Sequence, residues 1–119
     1  MPGRARPAYS GSVDRGRGAG AGGAELQQAL AGRERVLRAF VGEDGRLLAM
    51  PAKHSKRLVV LDLVARVFEP GVRYPETEVN ALLRAFHDDV AMLRRYLVDE
   101  DFLDRDHGVY WRTGGTVVL

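Results

Sequence analysis

Apolar residues recur at helical spacing in four stretches of this chain. The clearest is Val79, Leu82, Leu83 and Phe86, an i, i+3, i+4, i+7 stripe that predicts a helix over residues 75–86. Pro75 suits its first helical position, and Glu76 and Glu78 lie near the positive end of its dipole. Val90, Leu93 and Leu97 define the inward face of a second helix over 88–98, with Asp88 or Asp89 as its cap. Residues 102–112 then read as two short strands around Asp106-His107-Gly108. Phe102 and Leu103 carry the core into that hairpin, and Val109, Tyr110 and Trp111 close it.

Upstream, Leu58, Leu61, Val64, Ala65 and Phe68 predict a helix over 56–68 with Ser55 as N-cap. Val59, Val60 and Val67 would suit a strand, but thirteen residues without alternation favour the helix. Asp62 and Arg66 stand at i,i+4 in the favourable orientation, and Glu69-Pro70-Gly71 stops the run. Leu26, Leu30, Leu37 and Phe40, with Val36 and Val41 beside them, predict a helix over 24–41 that Gly32 splits into two pieces. A turn at 42–45 and a short strand at 46–50, ended by Pro51, follow. The predicted fold is mainly α with a small β-hairpin. It is winged helix-turn-helix-like and preceded by an extra N-terminal helix. Its segments are a disordered Gly/Arg-rich tail (1–23), the N-terminal helix (24–41), a winged-helix-like domain (42–112) and a C-terminal tail (113–119).

Charge changes this picture. Residues 1–39 hold seven arginines and three acids, whereas 40–119 hold eleven Lys/Arg and thirteen Asp/Glu, so the overall +2 belongs to the N-terminal part. A strong non-specific nucleic-acid binder carries its own positive field, and the mildly acidic fold weighs against that activity. Arg4, Arg6, Arg15 and Arg17 among glycines resemble RNA-binding Arg-Gly tails, or else form a solvated leader or an over-extended start. The chain lacks cysteine, any apolar run of membrane-spanning length and the apolar core of a secretion signal. The expectation is a cytoplasmic protein without a membrane partner.

Several stretches together resemble one bacterial family. They are Arg35-Val36-Leu37-Arg38-Ala39-Phe40, Asp44-Gly45-Arg46-Leu47, Pro51-Ala52-Lys53, Lys56-Arg57-Leu58-Val59-Val60-Leu61, Tyr74, Glu78-Val79-Asn80, Phe86-His87-Asp88-Asp89, Leu93-Arg94-Arg95 and Leu97-Val98-Asp99. Their order and spacing are similar to the bacterial domain-of-unknown-function family numbered 2087, over about residues 33–112. The resemblance implies a small winged-helix-like domain with a role in transcriptional regulation, and no reaction or cofactor. Two positions depart from the family. Pro75 stands where a Thr-type cap is usual, and Glu100-Asp101-Phe102 replaces a glycine after the third helix, so a residue of positive φ is expected there.

Candidate chemistry is sparse. Lys53, His54, Lys56 and Arg57 gather at a predicted helix start, where a phosphate would be favoured; otherwise they are a solvated basic surface. Reversing the charge of Lys56 and Arg57 together is then expected to weaken nucleic-acid binding without lowering stability. Arg95 projects from the second helix of the pair opposite Leu93, while Arg94 lies at the boundary; local pairing with Asp89, Asp99 or Asp101 is the competing role. Arg105, His107 and Arg112 decorate the wing, and Trp111 and Tyr110 either stack on bases or pack. His54, His87 and His107 show no metal-ligand spacing, and His87-Asp88-Asp89 reads as a turn and cap. Asn80 is expected to hydrogen-bond within its turn.

The sequence-level conclusion is a non-enzymatic, cofactor-free winged-helix domain that binds DNA in transcription regulation. Its nucleic-acid contacts would be Lys53, Lys56, Arg57, Arg95, Arg105 and Arg112. The alternative is a protein-interaction or self-association module whose partner is a second copy or a regulatory protein.

Overall fold

A computed structural model describes residues 16–116. The elements run α1 (Gly16–Phe40), α2 (His54–Ala65), β1 (Arg73–Pro75), α3 (Glu76–Arg84), α4 (Val90–Asp99), β2 (Leu103–Asp106) and β3 (Val109–Arg112). The chain divides into two units, Met1–Glu34 and Arg35–Leu119. In the first, residues 1–15 of the expected disordered tail lie outside the described residues. The helix begins at Gly16 rather than at 24, and Gly32 does not split it. Five of the residues from Gly16 to Gly23 are glycines, each costing about 1 kcal/mol relative to alanine, so local propensity does not explain this extension. Leu26 and Leu30 are 59% and 51% exposed.

The second unit is a winged-helix-like arrangement: α2, α3 and α4 with a three-stranded antiparallel sheet of order β1-β3-β2. Its core is most of what the apolar stripes predict, with Leu47, Val60 and Tyr74 buried in addition and Leu58, Leu82, Phe86 and Val90 only half-buried. Leu61, Val64 and Phe68 meet Val79, Leu83, Leu93, Leu97, Leu103 and Tyr110, all at 0–1% exposure. Each such side chain contributes roughly 1.5–3 kcal/mol by leaving water. Val36, Leu37, Phe40 and Val41 pack against this core, which is why the division between units falls at 34–35 and not at 41–42.

Helix α2 starts at His54, two residues before the predicted start, with Lys53 as N-cap and no side-chain cap. Ser55 therefore lies inside the first turn and does not cap it. After Ala65 the chain tightens: the amides of Arg66, Val67 and Phe68 each donate to the carbonyl three residues back. The strand expected at 46–50 reduces to one bridge, Val41 to Leu47. The Leu47 amide is taken by the Phe86 carbonyl (2.8 Å), so the segment binds the α3–α4 turn instead of extending a ladder.

β1 was not expected, because residues 73–75 carry no alternation to reveal it. It pairs with β3 through Arg73–Trp111, Tyr74–Tyr110 and Pro75–Val109. Pro75 ends this strand and precedes α3 with no side-chain cap. The Glu76 amide donates instead to the Gly108 carbonyl at the hairpin tip (2.9 Å), so the hairpin supplies the cap that Pro75 cannot. The tip itself is a two-residue loop with positive φ at His107 (50°) and Gly108 (78°), the twist that suits a tight hairpin.

Asp89 caps α4 by accepting from the Met92 amide (3.1 Å). At the other end Asp101 has φ 65°, the left-handed residue expected there. The Phe102 amide donates to Leu97 O (2.8 Å) and the Asp101 amide to Val98 O (3.1 Å), a paired C-terminal cap. Phe102 and Leu97 are both buried, so the cap also turns the chain into the core.

Candidate nucleic-acid interface

The two basic pairs of the helices, Lys56-Arg57 and Arg94-Arg95, are each divided between interior and surface. Successive helix residues point about 100° apart, so one member faces neighbouring elements and the other faces out. Arg57 turns inward. It donates to the Ala52 carbonyl (3.0 Å) and the Pro51 carbonyl (3.4 Å), lies over the Tyr96 ring (5.1 Å) and approaches Glu100 (3.9 Å). Its Nε is buried without a partner. Lys53 and Lys56 are exposed, and neither side chain makes a hydrogen bond or ion pair to another described residue. His54 meets Glu100 at 2.9 Å. Charge reversal of Lys56 with Arg57 therefore cannot leave stability untouched, contrary to the expectation above; Lys53 with Lys56 is the pair that can.

On α4, Arg94 is the committed member. It donates to Asn80 Oδ1 and lies 3.9 Å from Glu76. Asn80 thus bonds between helices rather than within its own turn. The same Glu76 carboxylate accepts from the Tyr110 hydroxyl (2.8 Å), so one acid joins α3, α4 and β3. Arg95 is exposed, opposite Leu93, with no hydrogen bond or ion pair to a described residue.

Arg105, on β2, is exposed beside Tyr110. The Tyr110 hydroxyl, by its hydrogen-bonding and electrostatic pull, raises the Arg105 pKa against the opposing effect of desolvation, with lesser contributions from Glu76 and Asp99. Ala91, Arg94, Arg95, Val98, Asp99 and Arg105 line a groove of about 270 Å³ between α4 and β2. It is the meeting point of helix and wing, with three guanidiniums and one carboxylate.

Arg112 leaves the predicted set. Its guanidinium donates to the carbonyls of Gly114 (2.9 Å), Phe68 (3.2 Å) and Thr116. The Thr116 amide in turn donates to the buried Asp62 (2.6 Å). A Cβ on Gly114 would come within 2.5 Å of the Asp101 carbonyl oxygen, so this segment is seated closely. Arg112 ties the C-terminal segment to the end of α2. Tyr110 is 1% exposed and packs; Trp111 lies under the Arg73 guanidinium, 4.4 Å from its ring centre.

Sequence reasoning gave Arg46 no role beyond its place in a family-like stretch, and passed over Arg73. Arg46 donates to Arg84 O and Asp88 Oδ1, both at 2.8 Å, and so fastens the loop after α1 to the helix-turn-helix. Neither residue belongs to an apolar stripe, so only the folded contacts reveal what they do.

The chain belongs to the family described as an uncharacterized protein conserved in bacteria (DUF2087), whose model matches residues 46–112, more than half of its length. The match starts at Arg46, later than the resemblance near residue 33 suggested. No curated protein and no solved structure matches the chain. Among the described residues no helix is long and apolar enough to cross a membrane, and no three His, Asp or Glu side chains group as a metal site.

Proposed function

We propose that this family member is a non-enzymatic nucleic-acid-binding domain of a bacterial transcription regulator, held to DNA mainly through backbone phosphates. The contacts are Lys53 and Lys56 at the start of α2, Arg105 on the wing, and Arg95 on α4. The observation that carries this reading is Arg95: exposed, unpaired and opposite the buried face of a helix that stands beside a β-wing. Arg57 and Arg112 drop out because their donors are used within the protein.

Phosphate binding releases counterions, so log K should fall by about 0.9 per contact for each unit of log salt. Fluorescence anisotropy with a duplex at about 50 and 200 mM salt tests this. Steep weakening supports the reading; absent or salt-independent binding removes it.

A second reading is self-association. It is favoured by the exposure of Leu26 and Leu30, one turn apart on α1. Sedimentation of the full chain beside Leu26→Glu/Leu30→Glu decides it: a dimer that the double substitution dissociates supports this reading, and a monomer at all concentrations ends it.

A further inference from the structure

The outward face of α4 carries more than charge. Ala91, Arg95 and Asp99 form a row along it, all three exposed and all bordering the groove beside β2. Residues four apart on a helix are surface neighbours, yet Arg95 and Asp99 form no ion pair with each other. Neither side chain makes a hydrogen bond or ion pair to another described residue. Of the other two groove arginines, Arg94 is held by Asn80 and Glu76, and Arg105 is exposed on β2 beside Tyr110. The row thus presents an unpaired fork of donors followed, one turn on, by a carboxylate that faces Arg105 across the groove without a hydrogen bond to it, with the small Ala91 allowing close approach.

A phosphate would be served by Arg95 and opposed by Asp99. The major-groove edge of a G·C pair is served by both, because guanine shows the acceptors O6 and N7 while cytosine shows the N4 amino donor. We propose that Arg95 and Asp99 read one G·C base pair, the guanidinium donating to guanine O6 and N7 and the carboxylate accepting from cytosine N4. This rests on the nucleic-acid reading above and adds specificity to it. Lys53, Lys56 and Arg105 then hold the backbone while α4 inspects the bases.

The test is selection from a random duplex library with the full chain, its Arg95→Gln variant and its Asp99→Ala variant. Anisotropy follows on the enriched duplex and on a copy with the preferred pair changed to A·T. The wild type should enrich one G·C pair and lose roughly 5- to 150-fold in affinity on the exchange. Arg95→Gln should move the preference from guanine to adenine, because glutamine matches adenine N6 and N7. Asp99→Ala should flatten the preference while binding random duplex at least as tightly, one repelling charge having gone. Duplex binding with no preferred pair, or with a preference that both variants retain, overturns this inference and leaves the phosphate reading intact. No binding to any duplex overturns both.

Discussion

The basic pairs on α2 and α4 look alike in sequence and do opposite things in space. On α2 the inward cation is the second of the pair, and Arg57 satisfies backbone carbonyls of the loop that leads into its own helix. On α4 the inward cation is the first, and Arg94 reaches side chains on α3. The outward members differ as well. Lys56 is a compact point charge suited to a phosphate in any orientation, while Arg95 is a planar fork that rewards one geometry. Four adjacent-looking cations therefore resolve into two that hold the fold and two exposed ones, to which the proposed function assigns attraction (Lys56) and discrimination (Arg95). Net charge does not show this division, and the −2 of residues 40–119 understates what the surface offers.

The sharpest way to break the comparison is stability. Arg57→Ala should cost about 1–3 kcal/mol, since it strips donors from the Pro51 and Ala52 carbonyls and uncovers Tyr96, whereas Lys56→Ala should stay within about 0.5 kcal/mol. Urea denaturation of the two variants would contradict the division if Lys56→Ala proved as damaging. Arg94→Ala should follow at about 1–2 kcal/mol, leaving Asn80 and Glu76 without their shared donor, against little change for Arg95→Ala. Next comes Tyr110→Phe, which removes one hydroxyl from Glu76; about 0.5–1.5 kcal/mol is expected in thermal melts. The smallest effect belongs to Lys56→Ala in DNA titrations, where the salt slope should shrink by about 0.9; an unchanged slope would take Lys56 off the interface.

The apolar stripes were enough to recover the three packed helices, the hairpin and nearly the whole core, because burial at Val79, Leu83, Leu93 and Leu97 follows directly from helical period. The left-handed residue after α4 was legible through the family resemblance alone, which puts a glycine where Asp101 stands. β1 was not, since three residues carry too little pattern and the strand exists only by pairing with β3. The candidate site was half legible. Periodicity puts Arg95 outside, but nothing local distinguishes Arg57 or Arg112 from surface cations. Their partners, such as Phe68 44 residues away, belong to other elements. Long-range hydrogen bonds decide which charges remain available, and a linear pattern does not contain them.

The seating of Thr116 on Asp62 has a consequence for how this molecule comes into being. Those residues are 54 apart, and the acceptor waits on α2 while three strands and two helices are still being synthesised. A nascent chain can collapse its helical pieces early, yet this buried carboxylate meets the Thr116 amide only after the chain between them has been made. The stitch thus comes after every element it spans, from a residue that no helical or strand pattern marks as important.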